Sequence, residues 1–111
     1  AHRNLADFSQ VPLLKRLLKT PICVDPSHAI GLRANDNRDN LCDIFHAAVQ
    51  GVIAGANMLL VDCHPNPPEA LVDARQALSL KELPWFLEDI QIAKQAYQQR
   101  LNCAKKWKEI L

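Results

Sequence analysis

Pro21-Ile22-Cys23-Val24-Asp25-Pro26-Ser27-His28 and Met58-Leu59-Leu60-Val61-Asp62-Cys63-His64-Pro65 decide the fold. Each is a short apolar run that stops at a polar, proline-bearing cluster. Such runs read as strands buried on both faces, the pattern of parallel sheets, not of sheets with one wet face. Between them, residues 40 to 54 form the clearest helix. Leu41, Ile44, Phe45, Ala48, Val49, Val52 and Ile53 recur at helical spacing. Asp39 or Asn40 can cap its start, and Gly55 fits the left-handed position past its end. Strand, helix, strand is a βαβ unit, with parallel pairing and a right-handed crossover.

The flanking segments extend this unit. Residues 9 to 19 read as a helix, with Ser9 at the N-cap, Pro12 in the first turn and a stripe of Leu13, Leu14, Leu17 and Leu18. Thr20-Pro21 ends it, because proline pushes the preceding residue out of the helical region. Residues 29 to 38 have loop composition. Pro65-Asn66-Pro67-Pro68 is a stiff turn before a short helical stretch over 68 to 74. The last helix runs from about 84 to 110, with Phe86, Ile90, Ala93, Tyr97, Leu101, Ala104 and Trp107 on one stripe. Ser79 and Glu82 have capping-box spacing, but Pro84 conflicts with a helix begun there. Its basic residues Lys105, Lys106 and Lys108 are read as a solvated face.

The order is helix, strand, helix, strand, helix: an α/β fold. Its 111 residues allow one compact domain at most. Two short strands with both edges open make a poor parallel sheet. The remaining strands are therefore expected from the same or another chain, and the exposed apolar faces predict a homo-oligomer.

Composition removes several functions. Hydrophobic residues make up 49% and charged residues 23%, so disorder is not expected. A net charge of +1 gives no electrostatic reason to expect nucleic acid or an anionic membrane. No apolar run approaches a membrane span. The start, Ala1-His2-Arg3-Asn4, has no signal-peptide apolar region. Cys23, Cys42, Cys63 and Cys103 contain no CxxC pair, against a zinc finger. They read as reduced thiols of a cytoplasmic protein.

The polar clusters are the candidate site, because α/β folds bind ligands beyond the carboxyl ends of parallel strands. The first supplies Asp25 and His28. The second supplies Asp62 and His64, which share a face if the strand persists. Asp73 follows eleven residues after Asp62. Imidazole plus carboxylates suits manganese, iron or zinc. The bland alternative stays open: Asp25 can simply cap a turn, and a lone histidine is more often a hydrogen-bonded surface residue than a ligand.

These residues carry a resemblance. Residues 21–28 are similar to the "PVIVDPSH" segment of 3-deoxy-7-phosphoheptulonate (DAHP) synthases. Leu60-Val61-Asp62-Cys63-His64-Pro65-Asn66-Pro67, continuing through Ala70-Leu71-Val72-Asp73 to Gln76, resembles their "EVHPDPxxALSDGxQSL" segment. Arg3-Asn4, Asp7 and Val11-Pro12 resemble "RNTLDISAVP", which precedes strand seven. The resemblance implies that residues 1–111 are the C-terminal quarter of a TIM (β/α)8 barrel: helix six, strand seven, helix seven, strand eight and helix eight. It implies a divalent metal and the condensation of phosphoenolpyruvate with erythrose 4-phosphate, the first step of the shikimate pathway. By position, His28 matches a metal-binding histidine, Asp62 a glutamate ligand and Asp73 an aspartate ligand that can also assist proton transfer. His64 and Asp25 are supporting.

Three departures accompany it. Asp62 is one methylene shorter than glutamate. Ala74 replaces a glycine. The family's metal-binding cysteine and its basic phosphate-binding residues lie on earlier strands, and the four cysteines here do not match that cysteine. Two alternatives follow. One is the related 3-deoxy-octulosonate-8-phosphate synthase, which tends to read "DATHS" after strand seven; Pro26-Ser27 and Gln76 favour the heptulosonate enzyme. The other is a non-catalytic barrel fragment that acts in assembly.

Overall fold

The computed structural model describes residues 7–26, 38–65 and 78–111. Helix α1 spans Gln10–Leu18, β1 Cys23–Val24, α2 Asp43–Ile53 and β2 Met58–Leu59. Then come β3 at Cys63–His64, β4 at Leu78–Ser79 and α3 at Leu83–Ile110. The expected βαβ pairing is present: β1 and β2 are parallel, with Cys23 opposite Met58 and Val24 opposite Leu59. Asn57 sets that register. Its Oδ1 accepts the Ile22 N–H at 3.0 Å, and its own N–H donates to the Ile22 carbonyl at 2.8 Å.

The second run departs from the expected single strand. The Leu60 N–H reaches the Val24 carbonyl at 2.9 Å, and there the first ladder ends. Cys63–His64 then joins a second parallel ladder with Leu78–Ser79, a strand the sequence reading left out. Burial on both faces is also overturned. Cys23 is exposed, and Met58 and Leu60 are 64% and 58% exposed. Each ladder has only two strands among the described residues, so no neighbour covers those faces.

Helix starts differ as well. α2 begins at Asp43, not at residue 40, with Cys42 at the N-cap and not inside a helix. Asn40 takes a left-handed φ of 65° and breaks any earlier turn. Neither Asp39 nor Asn40 caps the helix; Asp39 Oδ1 accepts the Leu41 N–H at 2.9 Å. Ser9 stands at the N-cap of α1 but makes no cap bond, because its hydroxyl donates to Asp7 at 2.6 Å. Ser79 and Glu82 do form the reciprocal box, and the conflict with Pro84 dissolves. The box closes the turn ahead of α3, and Pro84 falls in the first turn, where its missing N–H costs nothing.

The core joins α2 to α3 over β4. Ile44, Phe45 and Leu78 are fully buried, with Ala48, Cys42 and Phe86 around them. The Phe45 ring lies 4.5 Å from Trp85 and 5.4 Å, edge-on, from Phe86. α2 closes on β1 through Gly51, where a Cβ would meet Val24 Cγ1 at 3.2 Å. Of the expected α3 stripe, Phe86 and Ala93 are buried and Ile90 and Tyr97 partly so. Leu101, Ala104 and Trp107 are exposed, because α3 runs on past the end of α2.

The carboxyl end of α2 is held by two cations. Lys15 Nζ donates to the Gly55 carbonyl at 2.8 Å, and Arg100 Nη1 to the Ile53 carbonyl at 3.2 Å. Both oppose the negative end of the helix dipole. Gly55 has φ +101°, as its position past the helix predicts, and a Cβ there would sit 2.9 Å from Tyr97 Oη. Gly55→Ala is expected to cost about 2 kcal/mol, from the left-handed backbone and the clash together. Urea unfolding checks this, and Tyr97→Phe in the same chain should recover only the steric part.

Candidate active site

The parallel register puts the carboxyl ends of β1 and β2 at the same end of the pair. Asp25 follows Val24 directly, and Pro26 beyond it is buried. Across the ladder, the chain leaves Leu60 and passes through Val61 to Asp62. Asp62 stands where the first ladder hands over to the second: its carbonyl accepts the Leu78 N–H at 2.7 Å. The His64 carbonyl accepts the Leu80 N–H at 3.2 Å. These bonds hold the start of β4 beside the end of the second run.

Asp25, Asp62 and His64 are half-buried, and Asp62 Oδ2 is buried outright. His28 and Asp73 lie outside the described residues. So does the Ala74 position, as do the expected loop over 29 to 37 and the helical stretch over 68 to 74. Both are nonetheless close in sequence to described residues at this end of the pair. His28 is two residues beyond buried Pro26, and Asp73 is five residues ahead of Leu78. Among the described residues there is no cluster of three or more His, Cys, Asp or Glu suited to a metal.

Burial, and then the adjacent Asp62 carboxylate, push the Cys63 thiol above its ordinary value. Alkylation of Cys63 is therefore expected to be slower at pH 8 than that of a free thiol peptide, and to accelerate at higher pH than the peptide does. Mass-spectrometric rates check it. All four cysteines are free thiols.

Sequence reasoning missed β4, although the apolar pair Ala77-Leu78 ahead of the Ser79–Glu82 box was a usable signal. It also missed the Asp39–His46 contact, 2.7 Å between Oδ2 and Nε2. The Leu41 N–H, more than His46, draws the Asp39 pKa down. Burial raises Asp89, against a smaller opposing effect of His46. These groups lie beside the start of α2. No described helix is long and apolar enough to cross a membrane.

The sequence pattern of the DAHP synthetase I family matches residues 1–99. A phospho-2-dehydro-3-deoxyheptonate aldolase of Thermotoga maritima is 31% identical over 102 residues, covering 92% of this chain and 28% of that protein. A 2-dehydro-3-deoxyphosphooctonate aldolase of Protochlamydia amoebophila is 30% identical over 89 residues, covering 75% of this chain and 31% of that protein. The crystal structure of the Thermotoga maritima aldolase, a DAHP synthase, superposes with a TM-score of 0.71 at 30% identity. It covers 86% of this chain and 26% of that one. The chain thus spans between a quarter and a third of its relatives' length.

Proposed function

The chain belongs to the DAHP synthetase I family, and from that membership we propose that it is the C-terminal quarter of a (β/α)8 barrel that condenses phosphoenolpyruvate with erythrose 4-phosphate. The observation that supports it is the parallel β1–β2 register, which ends both strands on the same side, with Asp25 directly after β1 and Asp62 three residues after β2. The exposed faces of Met58 and Leu60 are then surfaces that the other strands and helices cover, whether from the same chain or another.

The donor set fits a divalent ion. Asp62 offers a buried carboxylate oxygen, and His28 and Asp73, near it in sequence, would add an imidazole and a second carboxylate. Such nitrogen and oxygen donors suit manganese, iron or zinc. His28, Asp62 and Asp73 would hold the ion, which supplies Lewis acidity toward the sugar aldehyde. Asp73 also moves a proton at the reacting centre. Asp25 and His64 orient the two strand ends: Asp25 opens the segment that leads to His28, and the His64 backbone carbonyl holds the turn after β4 by accepting the Leu80 N–H.

A second reading is favoured by the phosphooctonate aldolases among the relatives. Substrate choice separates the two. The complete barrel is expected to consume phosphoenolpyruvate with erythrose 4-phosphate far faster than with arabinose 5-phosphate. The reverse preference would establish the octulosonate reaction, and turnover of neither would favour a role in assembly alone.

A further inference from the structure

His46 stands where two connections of the chain end. One runs from β1 to α2 and carries His28; the other runs from β3 to β4 and carries Asp73. The first ends at Asp39 and Leu41, ahead of α2. The second ends at β4 and the Ser79–Glu82 box, ahead of α3. Both ends meet in one cluster, because Leu78 of β4 packs with Ile44 and Phe45 of α2 and Phe86 of α3. His46 follows Phe45 at that junction.

The start of α2 needs an anchor. Cys42 makes no side-chain cap bond, and the His46 N–H reaches the Cys42 carbonyl only at 3.4 Å. The His46 ring reaches back across the same turn, with Nε2 2.7 Å from Asp39 Oδ2, while Asp39 Oδ1 accepts the Leu41 N–H at 2.9 Å. One carboxylate therefore ties the backbone ahead of α2 to a side chain of α2 itself.

α3 supplies a second carboxylate. Asp89 lies four residues after Trp85 and three after Phe86, so it shares the side of α3 whose rings contact Phe45. Asp89 is half-buried there, and burial raises its carboxyl while His46 draws it down. His46 is thus flanked by carboxylates from two elements. The side chains of His46 and Asp39 are 43% and 50% exposed, so their pairing adds little to global stability. Its consequence is geometric. Freedom left at the ends of two connections must be frozen when the groups they carry converge on one ion, and that cost subtracts from binding.

We propose that His46 is a positioning residue: through Asp39 and Asp89 it ties the end of the connection that carries His28 to α3, where the connection that carries Asp73 also ends. The inference rests on the proposed metal site, and the experiment separates the two.

Manganese is titrated calorimetrically into the metal-stripped complete barrel. His46→Ala should weaken binding about fivefold at unchanged stoichiometry, with the melting temperature little altered. His46→Lys, which keeps a cation between the two carboxylates, should recover most of that affinity; His46→Leu, which keeps bulk without charge, should not. Asp89→Asn should weaken binding less in the His46→Ala background than alone, the mark of a shared interaction. The Leu41 amide should exchange faster in His46→Ala, because Asp39 has lost its tie to α2. Equal affinity of wild type and His46→Ala, beside a loss in His28→Ala, would overturn the role of His46 and leave the metal site standing. Recovery by His46→Leu would overturn it too, because bulk would then suffice. A wild-type barrel that binds no manganese would overturn the metal site and this inference together.

Discussion

Phe45→Ala is expected to remove most of the protein's stability. Phe45 is fully buried in α2 and stacks on both aromatic residues of the first turns of α3. Truncating such a side chain costs about 3–5 kcal/mol, from lost transfer energy plus the cavity left behind. A domain of this size has about 5–15 kcal/mol in all. The loss is concentrated because α2 and α3 meet mainly through this cluster, and Leu78 of β4 packs into the same place. Trp85 is the local probe: its fluorescence should shift to that of a solvated indole once Phe45 is gone. Phe45→Leu, which keeps most of the volume, should cost about 1.5 kcal/mol or less and leave Trp85 in place. Equal stability of wild type and Phe45→Ala would mean that the helices are held together elsewhere.

His28→Ala in the complete barrel should lower the condensation rate by at least about a thousandfold, the scale of losing a group that stabilises developing charge. Stability should change far less than the rate. Asp73→Asn should act similarly on rate. Asp62→Glu, which restores the reach of the longer carboxylate, should keep or raise activity. Activity that survives His28→Ala unchanged would remove His28 from the site.

The sequence made the βαβ unit legible because the signals there are local and redundant. Six apolar positions at helical spacing fix α2, and an all-apolar run with a polar stop fixes β1. Gly55 announced its left-handed turn for the same reason. What stayed hidden depends on partners distant in the chain. The split of residues 58–64 into two ladders is decided by Leu78, fourteen residues beyond His64, and periodicity within the run cannot show it. The start of α2 was misplaced because Asp39 turned its carboxylate to Leu41 and His46, a choice that two competing donors settle. The exposure of Cys23, Met58 and Leu60 is set by which elements pack on those faces, which an apolar run does not reveal. For the candidate site, Asp25, Asp62 and His64 were placed at one end of the pair from strand pairing alone. His28 and Asp73 are assigned by resemblance.

A divalent cation bound by His28, Asp62 and Asp73 is the centre of the proposed site. Manganese titrated calorimetrically into the metal-stripped complete barrel should bind at one ion per chain. His28→Ala, Asp62→Ala and Asp73→Ala should each weaken that binding by at least about a hundredfold. Binding of the same stoichiometry and affinity in all three variants would contradict it.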